Sequence, residues 1–262
     1  MANQQWTREQ TLIALNLYCQ LTFGQLHRRN PLIITTALMI ERTPDALAMK
    51  LANLASLDPA ITNSGRKGLV GCSKLDREIW HEFMEHPNNI GEESQLLIDA
   101  VAQKDNTLST LSSHDPDLAI DTDSFYAGDS TRIVKTRIKQ AFFRKAVLSS
   151  YNHTCCMTGI SLKPLLIASH IVPWSHNENQ RLNPANGLCL SALHDKAYDV
   201  GLITVTPDFR IKISQQLKSL ESSAISQDYL IGLEGRLIEL PKKFQPNPEF
   251  LAYHTENIFL KP

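Results

Sequence analysis

"LLIASHIVPW" (residues 165–174) is an apolar run that carries one histidine, His170, near its end. The stretch Leu165–Ile171 has the length and composition of a buried strand. Pro173 lacks a backbone N–H and directs the chain out of any ladder. A strand is stiff, so an imidazole at its exit is held in a fixed place. An unperturbed imidazole titrates near pH 6.5, so a neutral ring there can take a proton near neutral pH. A lone histidine at a strand end is more often a hydrogen-bonded core or surface residue than a base, and its neighbours must decide.

Downstream, "SHNENQRLNPANG" (175–187) is a turn-rich loop, and "LCLS" (188–191) is a second short apolar segment. Ser191 is placed to cap a helix "ALHDKAYDV" that Gly201 closes. On that helix Asp195 and Asp199 are four residues apart and share a face. "LITVTPDFRIKIS" (202–214) alternates as two strands around Pro207-Asp208. A helix near 223–234, a strand at 236–240 and a final helix near 247–257 complete the pattern.

Upstream the pattern is helical. "TREQTLIALNLYCQL" (7–21) puts Leu12, Leu15, Leu17 and Tyr18 on one face, with Thr7 as N-cap. "IITTALMI" (33–40) leads into "ERTPDALAMKLANLASL" (41–57), where Thr43 caps, Pro44 takes the first helical position and Lys50 and Asn53 fall outside the apolar face. "NSGRKGLVG" (63–71) is a loop with Arg66 and Lys67, and "SKLDREIWHEFMEHP" (73–87) is a further amphipathic helix. The helices around "RTP" fit a helix-turn-helix-like unit, or equally a plain packing bundle. Lys50, Asn53, Arg66 and Lys67 are its candidate DNA contacts.

Charge divides the chain where composition does. The net charge is −1, but residues 91–130 hold one basic and nine acidic side chains, and residues 131–170 hold seven basic and none acidic. The acidic stretch reads as a helix (92–103) followed by a linker. The basic stretch includes "RIVKTRIKQAFFRKAVLSSY" (132–151), a basic amphipathic helix or a short strand followed by one. Arg132, Lys135, Arg137, Lys139, Arg144 and Lys145 form a cationic footprint suited to a polyanion. One solvated basic helix explains the charge as well. Three regions result: a helical domain at 1–90, a helix and acidic linker at 91–130, and a domain over 131–262.

With 42% apolar and 20% charged residues, the chain folds around true cores. No apolar stretch approaches the roughly 20 residues that cross a bilayer, and the N-terminus lacks the layout of a secretory signal, so the expected setting is cytoplasmic. The five cysteines show no C-x-x-C pair; they read as reduced thiols and speak against structural zinc.

The order of strand with terminal histidine, loop with Asn186, short strand, and helix with His194 and Asp195 resembles the HNH, or ββα-metal, endonucleases. "CCMTGISL" with "LLIASHIVPWSHNENQRLNPANGLCLSALHDKAYDVGLI" is similar to the HNH module of bacterial restriction-type endonucleases, over roughly 150–203. The resemblance implies an α+β protein, with a helical N-terminal domain and a C-terminal domain built around a ββα-metal finger. It implies a metal-dependent DNA endonuclease in which His170 is the general base and Asn186 fixes the loop and the imidazole.

The helix would supply the metal ligand: Asp195 first, then His194, then Asp199. Carboxylate oxygens suit Mg²⁺ or Mn²⁺ better than Zn²⁺. In many relatives a metal-binding Asp, Glu or His precedes the base; here it is Ser169. That departure keeps open a DNA-binding regulator or interaction protein with a degenerate HNH fold. RNA and structured DNA remain alternative substrates. Cleavage of both strands suggests a homodimer.

Overall fold

The computed structural model describes residues 5–65, 71–104, 130–220 and 223–261, of which residues 103–104, 130–138, 220 and 225 are described as backbone alone. The acidic stretch 105–129 and the cations Arg66 and Lys67 lie outside the described residues, as do the side chains of Arg132, Lys135 and Arg137. The architecture is mixed helix and sheet, α+β, with two small antiparallel ribbons among the described residues. Its contacts divide the chain into Met1–Ala146 and Val147–Pro262. The division falls inside a helix, beyond the charge boundary at 130/131.

In the first unit, helix α1 (Arg8–Gln20) starts at a capping box: the Thr7 hydroxyl accepts from Gln10 N–H, and the Gln10 side chain accepts from Thr7 N–H. Every residue from Thr11 to Cys19 is buried, so α1 is a central helix rather than one with a single apolar face. It packs against α3 (Pro44–Ala55), α5 (Lys74–Glu85) and α6 (Pro87–Lys104). The polar residues on its inner surface are satisfied: Asn16 donates to Ser94 and Gln95, and Tyr18 donates to Asp58 at 2.9 Å. Helices α2 (Pro31–Met39) and α3 pack together across the turn at 40–43, with Asn30 and Thr43 as their N-caps.

Lys50 corrects its expected exposure. It is 4% exposed, its ammonium reaches the buried Asp76 at 2.5 Å and lies 4.6 Å over the Trp6 ring. Burial of a lysine demands such a partner, and the partner lies on α5, beyond the reach of helix periodicity. Asn53 is half-buried, and its carbonyl accepts from Ser56 and Cys72.

Helix α7 (Ser130–Ser150) runs across the division. In its first part Phe142 sits edge-on to Phe83, and Lys139 is paired with Glu92 at 2.8 Å. Arg144 and Lys145 are half-buried.

The second unit holds strands β1 (Leu166–His170) and β2 (Gly187–Ser191), antiparallel with Leu166 opposite Ser191 and His170 opposite Gly187. Strand β2 is buried throughout, whereas β1 buries only Leu166 and Ser169 completely and Leu165 is exposed. The strand expected to be buried is therefore the more exposed of the two. Helix α8 (Ala192–Asp199) packs on both strands. A second hairpin, β3 (Ile203–Val205) with β4 (Ile211–Ile213), follows it. Helix α9 (Gln215–Leu220) follows β4, and the region read as one helix near 223–234 holds the short helix α10 (Ala224–Tyr229) and a 3-10 turn at Ile231–Leu233. At 236–240 there is a single bridge, Arg210 to Leu237, in place of the expected strand.

Helix α11 (Pro248–Asn257) closes over β3. Gly201 has φ +74°, and an added Cβ would meet the Ile258 carbonyl oxygen at 2.2 Å, so only glycine fits this closure.

Candidate active site

Strand β1 ends with Ser169 and His170, and the Ser169 hydroxyl lies beside the Asp195 carboxyl of α8. His170 ends β1, and the loop after it returns to β2 through Asn186. The imidazole Nε2 lies 3.0 Å from the Arg181 carbonyl oxygen. A carbonyl can only accept, so Nε2 carries the proton and Nδ1 is the nitrogen with the lone pair. The ring also packs edge-to-face on Trp174, with centroids 5.4 Å apart. Burial pushes the imidazole pKa down to about 4, and the nearby Arg181 charge lowers it further, against the hydrogen bond to the Arg181 carbonyl. His170 is thus neutral at physiological pH.

Asn186 is 1% exposed. Its Oδ1 accepts from Val172 N–H at 2.8 Å, and its Nδ2 donates to the carbonyls of Val172 at 3.2 Å and Gln180 at 3.3 Å. Its own carbonyl accepts from Ile171 N–H at 2.9 Å. None of these bonds goes to the imidazole. Asn186 holds Gln180, and the next carbonyl along the chain, that of Arg181, holds the imidazole. The expected orienting role therefore runs through the loop backbone.

Arg181 was not singled out by the sequence. Its Nε donates to the Trp174 carbonyl at 2.8 Å, its guanidinium lies 4.9 Å over the Trp174 ring, and its Nη2 meets Glu178 at 3.0 Å. The only advance signal was that it is the one arginine in a loop that follows a strand-end histidine. Trp174 thus touches both this cation and the imidazole.

His194 is fully engaged. Its Nε2 donates to the Tyr229 carbonyl at 2.8 Å, and its Nδ1 accepts from the Ser191 hydroxyl at 2.7 Å. With both nitrogens occupied and the ring 1% exposed, it locks the start of α8 and offers no lone pair to a metal. His254 has the same form: Nε2 donates to the Tyr198 carbonyl, Nδ1 accepts from Thr204, and the ring stacks 3.7 Å from Tyr198. His176, in the loop, pairs with Tyr253.

Asp195 is half-buried on the first turns of α8. Burial pushes its carboxyl pKa up to about 6, and the negative charge of Asp199 adds to this, while the Ser169 hydroxyl and Lys196 oppose it. Asp199 is exposed. Ser169 is 2% exposed, and its hydroxyl has no hydrogen-bond partner of good geometry. Among the described residues no group of three or more His, Cys, Asp or Glu side chains converges to hold a metal ion. A carboxylate whose charge is disfavoured, with a buried hydroxyl in need of a partner nearby, fits a hard divalent ion that keeps much of its water. It does not fit a closed zinc site.

Residues 155–206 match the HNH endonuclease family. No curated protein matches the chain. Among the described residues no helix is long and apolar enough to cross a membrane.

Proposed function

We propose, from the match of residues 155–206 to the HNH endonuclease family, that this protein is a divalent-metal-dependent endonuclease of the restriction or defence type, acting on DNA. The observation that carries this reading is the His170 Nε2–H bond to the Arg181 carbonyl. It commits the ring to the tautomer whose Nδ1 takes a proton.

In this reading a water beside a scissile phosphate is deprotonated by His170 Nδ1 as it attacks. Burial keeps the imidazole neutral, and so able to accept, well below neutral pH. Asn186 fixes the loop that orients the ring. Asp195, helped by Ser169 and by Asp199 at longer range, would hold Mg²⁺ or Mn²⁺, which when bound supplies charge relief at the phosphate and at the leaving oxygen. The helical first unit, through α2 and α3 or the cations of α7, would help choose and hold the target. Arg132, Lys135, Arg137, Arg144 and Lys145 stay candidates for phosphate contact. Lys139 reaches DNA only by leaving Glu92. A homodimer would give paired cuts on the two strands.

Plasmid nicking with Mg²⁺, Mn²⁺ and EDTA tests the reading. The wild-type chain should nick with either ion and not in EDTA, and His170→Ala should bind DNA without cutting it. Full nicking by His170→Ala removes the assignment. A second reading, a DNA-binding regulator with a degenerate HNH fold, is favoured by the sparse donor set around Asp195. Retarded but uncut DNA in every ion would establish it.

A further inference from the structure

We infer that Arg181 is a phosphate-binding residue of the cleavage site, held in waiting by Glu178. This rests on the nuclease reading above and names a catalytic group that reading does not contain.

The argument begins with how the side chain is fixed. An arginine in a surface loop usually spends its length in water. Arg181 instead donates Nε to the Trp174 carbonyl at 2.8 Å and lays its guanidinium 4.9 Å over the Trp174 ring. Two independent contacts thus set both the position and the plane of the cation. The same tryptophan touches His170 edge-on, with centroids 5.4 Å apart, and the Arg181 carbonyl holds His170 Nε2. The cation and the base therefore share Trp174 as a neighbour and are joined by the Arg181 main chain.

Only the outer end of the fork meets a side-chain partner. Nη2 is 3.0 Å from Glu178, whose side chain is 79% exposed against 23% for Arg181. An ion pair with so exposed a carboxylate is weak and easily exchanged. A phosphodiester offers the planar fork two oxygens and a full negative charge, which is the geometry guanidinium prefers. The charges nearby point the same way. Asp195 and Asp199 make the α8 side of the site acidic, and a polyanionic substrate needs a cation of the chain close to the base. The structure fixes Arg181 there, close enough for its charge to be felt by His170.

The test separates binding from cleavage. In a His170→Ala background, fluorescence anisotropy of a labelled DNA duplex is measured across salt concentrations. Adding Arg181→Ala should reduce the slope of log K against log salt by about 0.9, the loss of one phosphate contact. Glu178→Gln should tighten binding about twofold to fivefold, as a weak competing pair is removed. In the otherwise wild-type chain, Arg181→Ala should lower kcat/KM about 100-fold, with partial recovery on adding guanidinium chloride below denaturing levels. Arg181→Lys should not recover it, because lysine has neither the Nε donor nor the plane.

The main-chain carbonyl that holds His170 survives each of these substitutions. An unchanged salt slope, or a loss of cleavage that guanidinium does not restore, would overturn the proposal and leave Arg181 as packing for Trp174. If the wild-type chain cuts no DNA with any ion, the nuclease reading fails, while the salt slope still decides whether Arg181 binds phosphate.

Discussion

The side-chain amide of Asn186 brackets the backbone of Val172, accepting from its N–H at 2.8 Å and donating to its carbonyl at 3.2 Å. The same amide reaches Gln180, so a single side chain ties the exit of β1 to the far end of the loop.

Asn186→Asp keeps the shape but removes two donors and buries a charge facing two carbonyls. The expected cost is about 2–4 kcal/mol by urea unfolding, with nicking reduced at least about tenfold. Wild-type stability in this variant would show that the bracket is incidental.

His170 should not titrate between pH 8 and pH 5. Its folded pKa is lowered from 6.5 to about 4 by burial, so the neutral form persists throughout that range. Nitrogen-15 NMR of the ring should report the Nε2–H tautomer at both ends. A midpoint near pH 6.5, or an Nδ1–H tautomer, would contradict the geometry of the base.

His254 links stability to pH. The unfolded chain protonates this residue below about pH 6.5, whereas the folded ring resists protonation until about pH 4 because it is buried. The unfolded state thus binds more protons between these values, and stability falls as pH drops through that window. The contribution is about 3 kcal/mol. It is read as the difference in unfolding free energy between pH 7 and pH 4 for wild type and for His254→Gln. Equal pH dependence in the two would refute it.

Lys50→Ala should destabilise the protein by about 3–5 kcal/mol, because it strands the fully buried Asp76 without its cation. Its effect on DNA binding should disappear once folding is restored by lower temperature. A stable Lys50→Ala variant with a weaker salt dependence of DNA binding would mean that Lys50 faces the phosphate after all.

The legible parts of the fold were the local ones. Thr7 and Thr43 cap their helices through neighbours three residues away, and His170, Asn186 and the start of α8 lie close together in the chain. What escaped were partners supplied by the fold at long range. The carboxylate that buries Lys50 is on another helix, and the carbonyl that occupies His194 belongs to Tyr229. Arg181 escaped for a different reason: its two fixing contacts are a main-chain oxygen and the face of a ring, and neither has a spacing that a sequence displays. The continuous burial of α1 had a visible signal in the density of "LIALNLYC", which a search for one apolar face overlooks.

The acceptor that sets the tautomer of His170 is a main-chain oxygen, and no codon change at position 181 can delete it. The imidazole can lose that partner only if the path between Ile171 and Asn186 changes. For the tautomer of His170 alone, point substitutions in this loop should matter far less than insertions or deletions. The inherited quantity that keeps His170 in its working form is the number of residues in the loop, more than the identity of those between the clamps.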